Sequence, residues 1–151
     1  MAAKTIPLDQ LSKELGMILP KQTVVVKQAV LDGCLATIPA LVAKSPVDTG
    51  QYASSWDVIA DDLSVTILNY APHAAVIENG ARPFTPPLTP LLMWAKRVLQ
   101  DASQPPDYSP EVWALAIGVR NKIQKEGMAP KKILTNEMPN LFARIKKELK
   151  K

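Results

Sequence analysis

A chain of 151 residues, 47% apolar and 21% charged, is sized for one globular domain that buries a core without staples. One cysteine, Cys34, excludes an internal disulfide and a thiol-rich metal site, and a small buried hydrophobe is the ordinary state of such a residue. The net charge of +4 is uneven, with eight basic and eleven acidic groups in residues 1–119 against ten and three in residues 120–151. That C-terminal surplus suits a solvated face, an acidic partner or nucleic acid.

The opening residues, MAAKTIPLDQ, lack a basic region followed by an apolar run, so no signal peptide is expected. Leu8, Leu11, Leu15 and Ile18 share helical spacing and predict a short helix over 8–18 in an N-terminal extension, stopped by Pro20. A longer helix follows over 22–43, with Val24, Leu31, Cys34 or Leu35, Ile38, and Leu41 or Val42 as its buried stripe. Pro39 is expected to kink it or end its regular part, and Gly33 to weaken it. Lys27, Gln28, Asp32, Gly33 and Pro39 interrupt the same stretch too often for a bilayer span, and a protein made in a cytoplasm is expected.

Two strands are predicted over 54–60 and 63–70, joined by Asp61-Asp62 as a tight connection. Residues 71–79 read as a short helix with Gly80 as its stop. The prolines of 82–87 make an extended connector. A helix over 88–101 places Leu88, Leu91, Leu92, Ala95, Val98 and Leu99 inside. After the loop SQPPDYSP, Ser109 caps a helix that opens on Pro110, with Val112, Leu115 or Ala116, Val119 and Ile123 inward. The last helix, basic in character, covers 133–149 on Leu134, Met138, Leu141, Phe142, Ile145 and Leu149. The expected class is α+β: a single, mostly helical domain whose small antiparallel hairpin, about 54–70, is packed by helices.

Converging reactive groups are hard to assemble. His73 is the only histidine, and Glu78, five residues on, lies about 140° around a helix from it, so the two do not form a paired metal site. Ser45, His73 and Asp48 write a hydrolase triad on paper, but no Gly-x-Ser-x-Gly elbow accompanies them. Asp48-Thr49-Gly50 occurs once and suits a turn better than an aspartic protease. The glycines are too scattered for a phosphate loop. No enzyme, cofactor or metal is expected, and a small hydrolase around His73 is the weakest alternative. A helix-turn-helix drawn from 109–126 and 133–149 offers Thr135, Asn136 and Glu137 at its reading end and no arginine for guanine. A small nucleic-acid-binding regulator using the basic C-terminal helices remains the main alternative.

Three blocks resemble the tail-component, or neck, protein family of long-tailed bacteriophages. The first is SPVDTGQYASSW at 45–56, a Pro-x-Asp-Thr-Gly helix exit followed by a Trp strand opening. The second is YAPHAAVIENGARPFTPPLTPLLMWAKR at 70–97, and the third is 117–130, which ends Ile-x-x-x-Gly-x-x-Pro. The chain departs from the pattern at Gln51, where arginine is common, and at Ile133-Leu134, where Phe-Leu is common. The resemblance covers about 22–145 and implies a virion structural protein of the head–tail junction. Copies would form a ring between connector and tail, assembled in the host cytoplasm, with head–tail junction or tail proteins as partners. Lumen-facing lysines would touch genomic DNA without reading it, and no membrane is involved. The residues it marks as structural or interface positions are Asp48, Gly50, Trp56, Tyr70, Glu78, Gly80, Arg82, Pro86, Pro87, Trp94 and Arg97. Among them Trp56 and Trp94 are expected as core or interface anchors, and Glu78 as a helix-end charge paired with Arg82.

Overall fold

The computed structural model describes residues 2–7, 23–62 and 64–150, so the helix expected over 8–18 lies outside the described residues. The chain is α+β: 56% helical, with a small three-stranded antiparallel sheet among the described residues, packed by helices. Its contacts fall into two compact units, Met1–Glu78 with Lys132–Lys151, and Asn79–Lys131.

The first unit holds β1 (Ala2–Pro7), α1 (Thr23–Leu35), α2 (Ile38–Lys44), α3 (Gln51–Ser54), β2 (Trp56–Ala60), β3 (Ser64–Asn69), α4 (Ala74–Asn79) and α7 (Ile133–Glu148). The β2–β3 hairpin follows the expected patterning, with Trp56 opposite Asn69 and Ala60 opposite Val65. The strand expected from Ser54 begins only at Trp56, because Gln51–Ser54 close a helical turn. The hydroxyls of Ser54 and Ser55 both donate to the Gln51 carbonyl and hold that turn. The Asp61 carboxylate accepts the Ser64 amide at 2.7 Å and its hydroxyl at 2.8 Å, which joins the hairpin. The third strand, β1, was not anticipated. It pairs with the other edge of β3 in the order β1-β3-β2, Ala2 opposite Asn69 and Pro7 opposite Ser64. AAKTIP carries little strand signal, and its partner ladder makes it one.

The long helix expected over 22–43 comes as two. Pro39 lies in the first turn of α2, where no amide donor is needed, and the Thr37 hydroxyl donates to the Gly33 carbonyl at 2.9 Å across the break. Cys34 is fully buried and Leu35 is exposed, which settles that alternative. Burial pushes the Cys34 thiol up to about 12. The stretch Val25–Lys44 is long and apolar enough by composition to cross a membrane, with a mean hydropathy of 1.5. Here it is split, and its Val26, Val30, Cys34 and Leu41 join a core with Trp56, Val65, Ile67, Leu141 and Ile145. Fully burying aliphatic side chains of this size contributes about 1.5–3 kcal/mol each. Gly33 is a site of close approach: a Cβ there would stand 2.5 Å from Ile145 Cγ1.

The second unit holds α5 (Leu88–Leu99) and α6 (Pro110–Glu126). They meet through Leu92, Ala95, Val112 and Ala116. Ser109 caps α6 as expected, its hydroxyl oxygen accepting the Val112 amide, and Pro110 is the first helical residue. Val98 and Leu99 were expected inside α5 and are exposed. Val98 lies about 120° around the helix from buried Leu92. Leu99 closes the last turn before Gln100 leaves the helix at φ 52°.

Candidate functional site

Ser45 ends α2 in extended backbone, and its buried hydroxyl donates to the Leu41 carbonyl at 2.7 Å while accepting Trp56 Nε1–H at 2.9 Å. Trp56 is buried and meets Tyr52 edge to face at 5.6 Å between ring centres. Tyr52 lies in turn 6.0 Å from the His73 ring, tilted by 34°. Buried Asn69 ties the corner, with Nδ2 donating to the Tyr52 carbonyl and Oδ1 accepting the Ala71 amide, both at 2.9 Å. Gly50 takes a positive φ, 81°, and the Thr49 hydroxyl oxygen accepts the Gln51 amide. Asp48 and Tyr70 are exposed. The triad drawn on paper meets an obstacle here, since the Ser45 proton is committed to a backbone carbonyl.

Glu78 is the centre of the second block. Its carboxylate reaches across the unit to the start of α7. Oε2 accepts the Leu134 amide at 3.1 Å, and Oε1 accepts both the Thr135 amide and the Thr135 hydroxyl at 2.9 Å. The Glu78 carbonyl also accepts the Lys132 amide at 3.3 Å. Lys132, the residue before α7, is left-handed at φ 51° and supplies no side-chain cap, so Glu78 does that work from 56 residues away. A negative charge there also complements the positive end of the helix dipole. The pairing with Arg82 expected for Glu78 is therefore replaced by capping. Tyr52 feels the same charge: burial first, then the Glu78 carboxylate, hold its phenol up to about 12. The Tyr52 hydroxyl is buried with no hydrogen-bond partner among the described residues.

Within the second unit, the ends of the segment are joined by a two-bond bridge. Ala81 N–H donates to the Met128 carbonyl at 2.9 Å, and Met128 N–H donates back at 2.8 Å. Gly80 and Gly127 flank it at φ 75° and 76°. A Cβ would stand 2.4 Å from the Met128 oxygen at Gly80 and 2.2 Å from the Ala81 oxygen at Gly127, so only glycine allows the chains this close. Pro86 is buried, and exposed Pro87 is the extended residue before α5. Trp94 is half-buried against the α5–α6 core beside Leu88, Leu91, Tyr108 and Leu115. Arg82 and Arg97 are exposed. The matched residues thus come together as two joints, one around Ser45, Tyr52, Trp56 and Glu78 and one at Gly80, while Asp48, Tyr70, Arg82 and Arg97 stand on the surface.

Sequence reasoning missed a third feature. Glu137, 1% exposed, sits on α7 between Leu134 and Leu141 and pairs with Lys44 of α2 and, at 2.8 Å, with Arg144. Arg144 also donates to the Thr37 hydroxyl oxygen at 3.1 Å, and Thr37 donates to Gly33, so one polar chain ties α1, α2 and α7. Burial pushes the Glu137 carboxyl up, but hydrogen bonds from Lys44, Arg144 and Asn140 outweigh it and hold the carboxyl below its usual range. The one signal for it in the sequence is an acid in phase with an apolar stripe.

Among the described residues, no group of three or more His, Cys, Asp or Glu side chains could hold a metal ion. Comparison with known proteins finds no matching family model, no matching curated protein and no matching solved structure.

Proposed function

We propose that this chain is a structural protein of a tailed bacteriophage virion, a ring-forming neck or tail component that docks between connector and tail around the DNA path. The sequence resemblance of 45–56 and 70–97 suggests the family. The observation that carries the reading is apolar surface. Helices α5 and α6 leave Met93, Val98, Trp113 and Ile117 exposed. Of these, Trp113 and Ile117 stand one turn apart on the same face of α6, and neighbouring exposed apolar side chains suit a surface that meets other protein. Copies meeting head to tail close into rings when the rotation between them closes.

Light scattering on the purified chain, followed by electron microscopy of the same sample, tests this. Closed multimers are expected, and a strict monomer at tens of micromolar sinks the reading. One observation favours the alternative of a nucleic-acid-binding regulator: Lys131, Lys132, Lys146, Lys147 and Lys150 are all exposed. That reading requires one duplex sequence to be preferred over others at fixed salt.

A further inference from the structure

We propose that α6 is a two-fold contact between copies, its exposed face lying antiparallel on α6 of a second copy and centred on Gly118. The inference names what covers the α6 surface described above and rests on the self-assembly reading. It also goes beyond the ring, because a two-fold contact joins copies in pairs.

Helix geometry defines the face. Val112 and Ala116 are the residues of α6 buried in the core with α5. Ala116 lies about 160° around the helix from Gly118, so Gly118 is turned away from that core. Glu111, Gly118 and Lys125 follow one another at seven-residue spacing. Seven residues fall about 20° short of two full turns, so the three lie on one line along the helix. All three are exposed, as are Ala114 and Asn121 on the same line. Ile117 flanks the line, with Trp113 one turn earlier, 41% and 37% exposed. Among the described residues, nothing stands within 4 Å of a Cβ added at Gly118, so the middle of the face is open to a second helix.

The charges point to the occupant. The line begins on an acid, Glu111, ends on a base, Lys125, and is uncharged between them. An antiparallel copy centred on Gly118 sets Glu111 of each chain against Lys125 of the other, so the attraction is made twice. A parallel copy would set like charge against like. A uniformly acidic or uniformly basic partner would gain at one end and lose at the other. A second copy, reversed, is the occupant that satisfies both ends. Lys122, beside the line, then faces Ala114 of the other copy and meets no like charge. The helix dipoles oppose one another in the same arrangement, which is favourable. Exposed ion pairs contribute little singly, and here they set partner and register. Ile117 and Trp113 supply the apolar area that such a contact removes from water.

Full-length chains test the inference in two ways. Gly118→Cys places a thiol on the two-fold axis, where helices about 8–10 Å apart bring the two copies within disulfide reach. Ala114→Cys is the control, since its two copies would stand about 12 Å apart along the axis. After mild oxidation, free thiols are alkylated before denaturation so that buried Cys34 contributes nothing. Most Gly118→Cys chains should run as disulfide-linked dimers and few Ala114→Cys chains should, and equal yields overturn the proposal as random collision. The second test reverses charge. Glu111→Lys or Lys125→Glu alone should weaken self-association about tenfold, and an equimolar mixture of the two should recover the parent's affinity through mixed pairs. Self-association unchanged in both single variants, or no recovery on mixing, overturns the contact. Light scattering on the same samples separates this contact from the ring. Multimers whose Gly118→Cys chains form no disulfide overturn the α6 contact and leave the ring standing. Dimers linked at position 118 that never close into larger rings uphold the contact and sink the ring, and a strict monomer overturns both.

Discussion

At the scale of single residues, Glu137 is the most demanding group in the chain. An isolated buried carboxylate is unfavourable, and this one is ionised because Lys44 and Arg144 reach it from partly exposed positions. Since both cations can turn toward water when the carboxylate is removed, Glu137→Gln should cost less than breaking a fully buried pair. About 2 kcal/mol is expected, within the range for hydrogen bonds to charged groups. Urea unfolding at pH 7 measures it. The carboxyl is held lower in the folded chain than in the unfolded one, whose ordinary value is 4.5. The contribution is therefore complete above that value and is lost as pH falls from 4.5 through the lower folded value. A profile of stability against pH should show an acid decline that flattens in Glu137→Gln, and an unchanged decline would count against the assignment.

At the scale of elements, two junctions govern how helices start and stop. Helix α7 starts on a left-handed lysine with no cap of its own, and Glu78 closes it from a distance. Glu78→Ala removes three hydrogen bonds and a favourable charge, so about 2 kcal/mol of stability should disappear. Hydrogen exchange at the Leu134 and Thr135 amides should rise first, and protection equal to that of the parent would speak against the cap. The glycines of the second unit make an opposed pair. At Gly127, a positive φ and an oxygen 2.2 Å from the would-be Cβ make Gly127→Ala destabilising by more than about 2 kcal/mol. Gly118 lies inside α6 with nothing within 4 Å of its would-be Cβ, so Gly118→Ala should stabilise by about 0.5–1 kcal/mol. Thermal melts of the two variants should move in opposite directions.

At the scale of the whole molecule, charge and patterning decide different things. Ten basic and three acidic groups in residues 120–151 make attraction to phosphates natural. Under the neck reading proposed above, that attraction carries no sequence preference. Duplex affinity should therefore fall steeply as salt rises from about 50 to 200 mM and be the same for unrelated sequences. Replacing exposed Lys146 and Lys147 with Gln should reduce the slope of log affinity against log salt by roughly 0.9 for each phosphate that is no longer neutralised.

The amino-acid sequence by itself determined the features that depend on neighbours along the chain. The buried Val112 and Ala116 of α6, the Ser109–Pro110 start, the β2–β3 hairpin and the stop at Gly80 follow from local spacing, turn chemistry and capping. Of the positions that the motifs single out, Gly50 and Gly80 hold positive φ, and Trp56 and Pro86 are buried. Only the tertiary structure decided what Glu78 caps, why Glu137 is buried, why Gly33 is small and that Ala2–Pro7 is a strand. Each of those depends on a partner far along the chain: Leu134 for Glu78, Lys44 for Glu137, Ile145 for Gly33, and β3 for β1. A local pattern reports which face of an element is apolar, but it holds no information about which distant group will arrive to satisfy a stray amide, a charge or a bare sheet edge.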